Sequence, residues 1–285
     1  MSTDQPQNEP TYFIDAENAA EMARLTNQDR IITKNMGGLF AEQLDLSNVS
    51  DILDIGCGPG GWVFDVAYTY PAWQVVGIDI SKLMVEYARA QAKVQKLNNV
   101  SFKLMDALKP LDFPNNSFDL VNARFISGFM PPASWPTLMQ ESWRILRPGG
   151  ILRLTEPEFP ISNSLASEKL YGMIARAMQT VRQSFSPDGR HVGITPMLTR
   201  FLRNAGFQNI RITAHALDSS AGTEEFTSQY QNTMVFLKLL QPFVVKTGIC
   251  TQQEVESLYQ QALAEMMSDT YCVVWFYLTV SGEKP

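Results

Sequence analysis

The run Ile52-Leu53-Asp54-Ile55-Gly56-Cys57-Gly58-Pro59-Gly60-Gly61 holds the residues best suited to chemistry: an acidic strand end followed by a glycine-rich turn. Glycines let a backbone bend sharply and approach a ligand, and the free N–H groups of a following helix start point at it. A nucleotide-type binding loop is therefore expected here. Gly56-x-Gly58-x-x-Gly61, with Asp79 at roughly the ~20-residue offset of the dinucleotide fingerprint, also suits a nicotinamide cofactor. Asp54 shifts the balance, because a carboxylate would oppose a pyrophosphate at that helix start but suits an ammonium-bearing ligand. It can equally cap the N–H groups of its own loop.

Three further strand ends carry polar or small residues where a nucleoside needs them. Asp79, followed by Ile80, can accept hydrogen bonds from two ribose hydroxyls, a task for an acceptor-only group. In Asp106-Ala107 an aspartate beside a free backbone N–H can read an adenine edge. Asn122-Ala123-Arg124-Phe125 falls next to the expected reaction centre, where Arg124 either pairs with a ligand carboxylate or caps its own loop.

The elements that must position these residues alternate between strand and helix. Strands are predicted at 51–55, 74–78, 100–104, 118–122 and 151–155, and helices at 62–70, 81–97 and 135–146, a pattern that specifies a parallel sheet. Ligands then lie outside the carboxyl ends of the strands. Residues 1–10 read as a flexible tail and 15–44 as one or two helices that form a lid. The expected division is 1–45 for tail and lid and 46–285 for an α/β domain. Helical inserts are expected at about 157–192 and 219–268, with strands at 209–214 and 271–280. Met173, Met178, Phe226, Tyr230, Met234 and Phe236 in these inserts either pack helices or line a substrate site.

Composition bounds the partners. With 285 residues, 45% hydrophobic content and a formal charge of -6, the chain has ample core and no basic stripe, so nucleic acid is not an expected partner. No apolar run approaches the ~20 residues of a membrane span, and the polar N-terminus lacks a secretory pattern, which makes a cytoplasmic location the expectation. Three cysteines without paired spacing suggest neither a disulfide framework nor a metal site. Nothing in the sequence indicates an oligomer.

The ordered set Leu53-Asp54-Ile55-Gly56-Cys57-Gly58-Pro59-Gly60, Gly77-Ile78-Asp79-Ile80-Ser81, Asp106-Ala107, Phe118-Asp119-Leu120-Val121 and Arg144-Ile145-Leu146-Arg147-Pro148-Gly149-Gly150 resembles the class I S-adenosylmethionine-dependent methyltransferases. The resemblance covers about residues 50–156. It implies a Rossmann-like, seven-stranded, mostly parallel sheet with an antiparallel last strand, and S-adenosylmethionine as cofactor with S-adenosylhomocysteine as product. In that likeness Gly56, Gly58 and Gly60 hold the methionine end, Asp79 the ribose and Asp106 the adenine. Tyr12, Arg24 and Gln28 are similar to the lid helix of members that act on small molecules, near the methionine end and the acceptor.

Methyl transfer of this kind is an in-line displacement that needs alignment and exclusion of water. Phe125, Phe129 or Tyr12 can offer an aromatic face to a sulfonium. Candidate bases for an acceptor proton are His191, Glu156 and Glu158, of which Glu156 and Glu158 bracket Pro157 just past a predicted strand. Where typical members carry paired histidines after the fourth strand, this chain has Ser127-Gly128. Two alternatives stay open: an NAD(P)-dependent oxidoreductase, and a binding protein that keeps the cofactor site without catalysis.

Overall fold

Apolar residues on both faces of the central strands at 51–55 and 118–124 force a sheet covered on both sides. The computed structural model describes residues 12–285, so the tail expected at 1–10 lies outside the described residues. Strands β1 (Asp51–Ile55), β2 (Gln74–Asp79), β3 (Val100–Leu104), β4 (Phe118–Arg124), β5 (Leu146–Ser162), β6 (Gln208–Asp218) and β7 (Val273–Glu283) form one sheet of order β3-β2-β1-β4-β5-β7-β6. The first five strands run parallel, while β7 lies antiparallel between β5 and β6. The strand order reverses between β1 and β4, and a crevice opens there.

Period-2 alternation sends neighbouring β1 side chains into two different cores. Ile52 packs with Trp62, Val66 and Val85 beneath helices α2 (Gly61–Thr69) and α3 (Lys82–Val94). Leu53 packs with Leu138, Leu154 and Leu198 beneath α4 (Trp135–Ile145) and α6 (Thr195–Asn204). The Ser81 hydroxyl caps α3 by accepting the Met84 N–H at 3.1 Å. Arg147, in the Arg-Pro-Gly-Gly turn, is paired with Asp51 and Asp119 at 2.9 and 2.7 Å. That motif therefore braces the amino ends of β1 and β4, opposite the crevice.

The helices outside this alternation gather over the other end of the sheet. Helix α1 (Ala19–Asn35) packs on α7 (Phe226–Lys246), and α5 (Leu165–Thr180) packs on α7 and α8 (Gln252–Met266). The segment before α1 is fastened to α3: the Glu17 carboxylate accepts the N–H groups of Lys82 and Leu83, and Ser81 donates to the Ala16 carbonyl.

Strand β5 does not stop near Thr155. It continues to Ser162 because β7 pairs with it as far as Val273, with a register shift between Glu158 and Ile161. Glu156 and Glu158, expected in a loop past the strand, lie inside it.

Candidate active site

The turn after β1 is the floor of the site. Gly56 and Gly58 have φ of +70° and +52°, conformations in which a side chain is strained, and both line a cavity at the carboxyl ends of the strands. The Asp79 carboxylate accepts the N–H groups of Gly58 and Ser81, each at 2.9 Å, and so ties the glycine turn to the end of β2. Burial raises its pKa above the usual carboxylate range. Each of its oxygens keeps a second lone pair for a ligand hydroxyl. Asp106, Ala107 and the half-exposed Ile80 line the same cavity, with Met84, Met105 and Leu108 giving it an apolar wall.

Gly60 is not part of that lining. It starts α2 with φ +89°, and a Cβ there would stand 2.9 Å from the Phe102 ring, so its role is close packing of helix on sheet.

A second, smaller cavity lies on the other flank of the turn, lined by Asp54, Asp29, Trp62 and Arg124 among others. Asp54 accepts a hydrogen bond from Asn122 Nδ2 at 2.7 Å, and burial pushes its pKa up to about 7. Asn122 Oδ1 in turn accepts from Arg153 at 2.7 Å, and Arg153 forms a buried ion pair with Glu42. Asn122 therefore lines none of the three cavities and acts by holding Asp54. Arg124 is already engaged: its guanidinium pairs with Asp29 of α1 and donates to Thr33 at 3.0 Å. Trp62 Nε1 is buried without a partner, a free donor beside this cavity for a ligand carboxylate.

A third cavity extends from the first between α1, α5, α7, β5 and β7. Its lining is dominated by apolar and aromatic side chains, including Met178 and Phe236 of the insert residues singled out from sequence. Phe226 and Tyr230 instead pack in a separate cluster around Tyr271, and Met173 and Met234 pack against the main core. Tyr12, Arg24 and Gln28 come together in the wall: the Tyr12 hydroxyl donates to Glu21 at 2.6 Å, Arg24 bonds both Glu21 oxygens at 2.7 Å, and Arg24 also reaches Gln28 and Asn232.

Leu25, Gln28 and Phe125 line all three cavities and mark their junction. Phe125 has φ +59°, a conformation that costs a bulky residue ~1–3 kcal/mol and that its surroundings must impose. Its N–H donates to the Thr155 carbonyl at 2.9 Å, and the Glu156 carboxylate takes the next two N–H groups, Ile126 at 2.9 Å and Ser127 at 3.2 Å. Glu156 is fully buried, burial raises its pKa to about 7, and it lines no cavity, so its position is that of a clamp on the turn. Glu158 does line the third cavity, but its oxygens are taken by the N–H groups of Val192 and Gly193 and the Thr195 hydroxyl. His191 is exposed on the adjoining loop and lines none of the three cavities. Of the expected binding residues all but Gly60 and Asn122 thus line these cavities, whereas of the expected bases only the committed Glu158 does.

Sequence reasoning placed Leu25 beside Arg24 in the lid pattern but missed Asp29, Trp62, Asn232, Trp275 and Tyr277. For α1 a signal existed: Leu25, Gln28, Asp29 and Ile32 follow i, i+3, i+4, i+7 and share one helix face. Trp275 and Tyr277, two apart on β7, also share a face, but a strand alternation does not say what that face meets.

Fold and site together define an α/β protein with a cavity at its topological switch point whose lining suits a nucleoside-type cofactor. Residues 52–150 match the family model described as "Methyltransferase domain". The chain is 35% identical over 121 residues to the demethylmenaquinone methyltransferase of Lactococcus lactis, covering 41% of this chain and 46% of that one. It thus spans about half the length of that curated relative. Among solved structures, a Haemonchus contortus phosphoethanolamine N-methyltransferase 2 bound to phosphomonomethylethanolamine and S-adenosylhomocysteine superposes with a TM-score of 0.57 at 19% identity, over 96% of this chain and 60% of that one. The [4+2]-cyclase SpnF superposes with a TM-score of 0.50 at 21% identity, over 95% and 97%. Residues 52–150 thus carry a methyltransferase domain similar to those of S-adenosylmethionine-dependent enzymes, which weighs against the nicotinamide alternative.

Proposed function

We propose that this protein binds S-adenosylmethionine and transfers its methyl group to a small, largely apolar molecule, releasing S-adenosylhomocysteine. The carrying observation is the junction at Leu25, Gln28 and Phe125, where a cavity built for a nucleoside opens directly into one built for an apolar guest. When bound, the cofactor supplies an electrophilic methyl group on a positively charged sulfur. Asp79 would hold the ribose hydroxyls, Asp106 and Ala107 the adenine against the Met84–Met105 wall, and the Gly56–Gly58 turn the methionine end, with Asp54 for its ammonium and Trp62 Nε1 for its carboxylate.

Because Glu158 is committed to its loop and His191 stands outside, catalysis on this reading is alignment and exclusion of water rather than proton abstraction by a dedicated base. Helix α1 and the aromatic faces of Tyr12 and Phe125 close the junction. No helix among the described residues is long and apolar enough to cross a membrane. The reading takes the substrate to be a free metabolite, and the cytoplasm to be where it is met.

Calorimetry with both cofactor forms, followed by S-adenosylhomocysteine release across a metabolite panel, tests the proposal; failure to bind either form contradicts it. One observation favours a second reading, a cofactor-binding protein without turnover: among the described residues no uncommitted base lines the third cavity. The fold alone does not decide, since the cyclase shares it. Tight cofactor uptake with no release across the panel would favour that second reading.

A further inference from the structure

The third cavity restricts the chemistry of its guest, and this inference rests on reading that cavity as the acceptor site. Among its described lining residues two side chains carry formal charge, Arg24 and Glu158. Arg24 is 6% exposed and neutralised by Glu21, with Gln28 and Asn232 taking further donors and the Phe236 ring at 5.2 Å. Glu158 is saturated by the loop at 192–195. A carboxylate or phosphate brought here would be desolvated with no free cation, and an ammonium with no free carboxylate.

The same wall carries donors that nothing satisfies. Trp275 Nε1 is buried without a hydrogen-bond partner, and so is the Tyr171 hydroxyl, whose neighbour is Thr233. Tyr171, on α5, is 5% exposed, and its ring meets that of Trp275 edge-on with centroids 6.1 Å apart. Two orphaned donors on touching rings at the edge of an apolar cavity call for an acceptor oxygen. Their distance from the transfer point follows from β7. Tyr277 lies against Phe125 with centroids 5.6 Å apart, and Trp275 stands two residues further along the same strand face, ~6–7 Å away.

The geometry points to an uncharged, mostly apolar acceptor that carries a carbonyl or hydroxyl oxygen at the end remote from the methylated atom, read by Tyr171 and Trp275 as specificity-determining residues. The two donors discriminate because a guest lacking the oxygen leaves them unpaired, whereas extra apolar bulk alone selects weakly.

A naphthalene series separates the possibilities: 1-acetonaphthone as neutral ketone, 1-ethylnaphthalene as its oxygen-free counterpart, and 1-naphthoate, 1-naphthyl phosphate and 1-naphthylmethylammonium as charged counterparts. Each is titrated by ligand-observed NMR against the full chain, with and without S-adenosylhomocysteine. The ketone is expected to bind about tenfold or more tighter than every other member. Tyr171→Phe and Trp275→Phe are each expected to remove most of that preference while leaving 1-ethylnaphthalene and S-adenosylhomocysteine binding unchanged, which also reports that the variants are folded. A charged member binding as well as the ketone, equal loss of both neutral probes in the variants, or no binding of the ketone overturns the inference. Failure of S-adenosylhomocysteine to bind would instead strike the cofactor reading, and the titrations without it still judge this one.

Discussion

The two large cavities are similar in size but differently made. The one at β1–β3 is built from consecutive short stretches, each a strand end and the turn that follows it, and its polar contacts are backbone N–H groups and carboxylates. The one beside it draws single side chains from α1, α5, α7, β5 and β7, more than 200 residues apart in sequence at the extremes of Arg24 and Tyr277. A backbone cradle is fixed by the fold and tolerates little change. A side-chain cavity can be repapered residue by residue, which is how one fold serves many acceptors.

The largest effect is expected at Asp79. Asp79→Ala unfastens Gly58 and Ser81 together and, on the proposed reading, removes the ribose acceptor, so affinity for S-adenosylmethionine by calorimetry should fall about 100-fold; a change below threefold would detach the glycine turn from cofactor binding. Gly60→Ala attacks the same cradle without touching the ligand. Its strained φ and the 2.9 Å approach to Phe102 predict a loss of about 1–3 kcal/mol in stability, read as a thermal midpoint lowered by several degrees.

The junction can be sharpened by pH. The folded-state pKa values of Asp54 and Glu156 stand at about 7, above their ordinary values of 3.8 and 4.5. The folded protein therefore holds more protons than the unfolded chain between those limits. Stability from this source is fully present below about pH 4 and is lost as pH rises through 7. Glu156→Gln should flatten denaturant-derived stability across pH 4.5–7 by up to ~1.4 kcal/mol per pH unit; an unaltered slope would show that Glu156 does not titrate there. The smallest effect is expected at the acceptor side's most tempting residue. His191→Ala should leave turnover within about twofold, as for a surface position away from any cavity, and a large loss would restore it as a base.

What could be read from sequence follows the same divide. Asp54, Gly56, Gly58, Asp79 and Asp106 were legible because local chain order places each at a strand end, and the alternation of elements places the strand ends together. Gly60 and Asn122 belonged to the same stretches yet act behind the surface, on Phe102 and on Asp54, which a linear pattern does not distinguish from lining the cavity. Glu156 and Glu158 were misplaced because the length of β5 is set by pairing with β7, over 100 residues away. Trp275 and Tyr277 gave no signal at all, since their meaning depends on which helices cover that face of β7.

The central claim is that cofactor and acceptor meet at Leu25, Gln28 and Phe125. A crystal structure with bound S-adenosylhomocysteine tests it most directly: the ribose hydroxyls should lie on Asp79 and the sulfur should face Phe125 and the apolar cavity beyond. A cofactor found with its sulfur turned away from that opening, or its ribose off Asp79, would contradict the account.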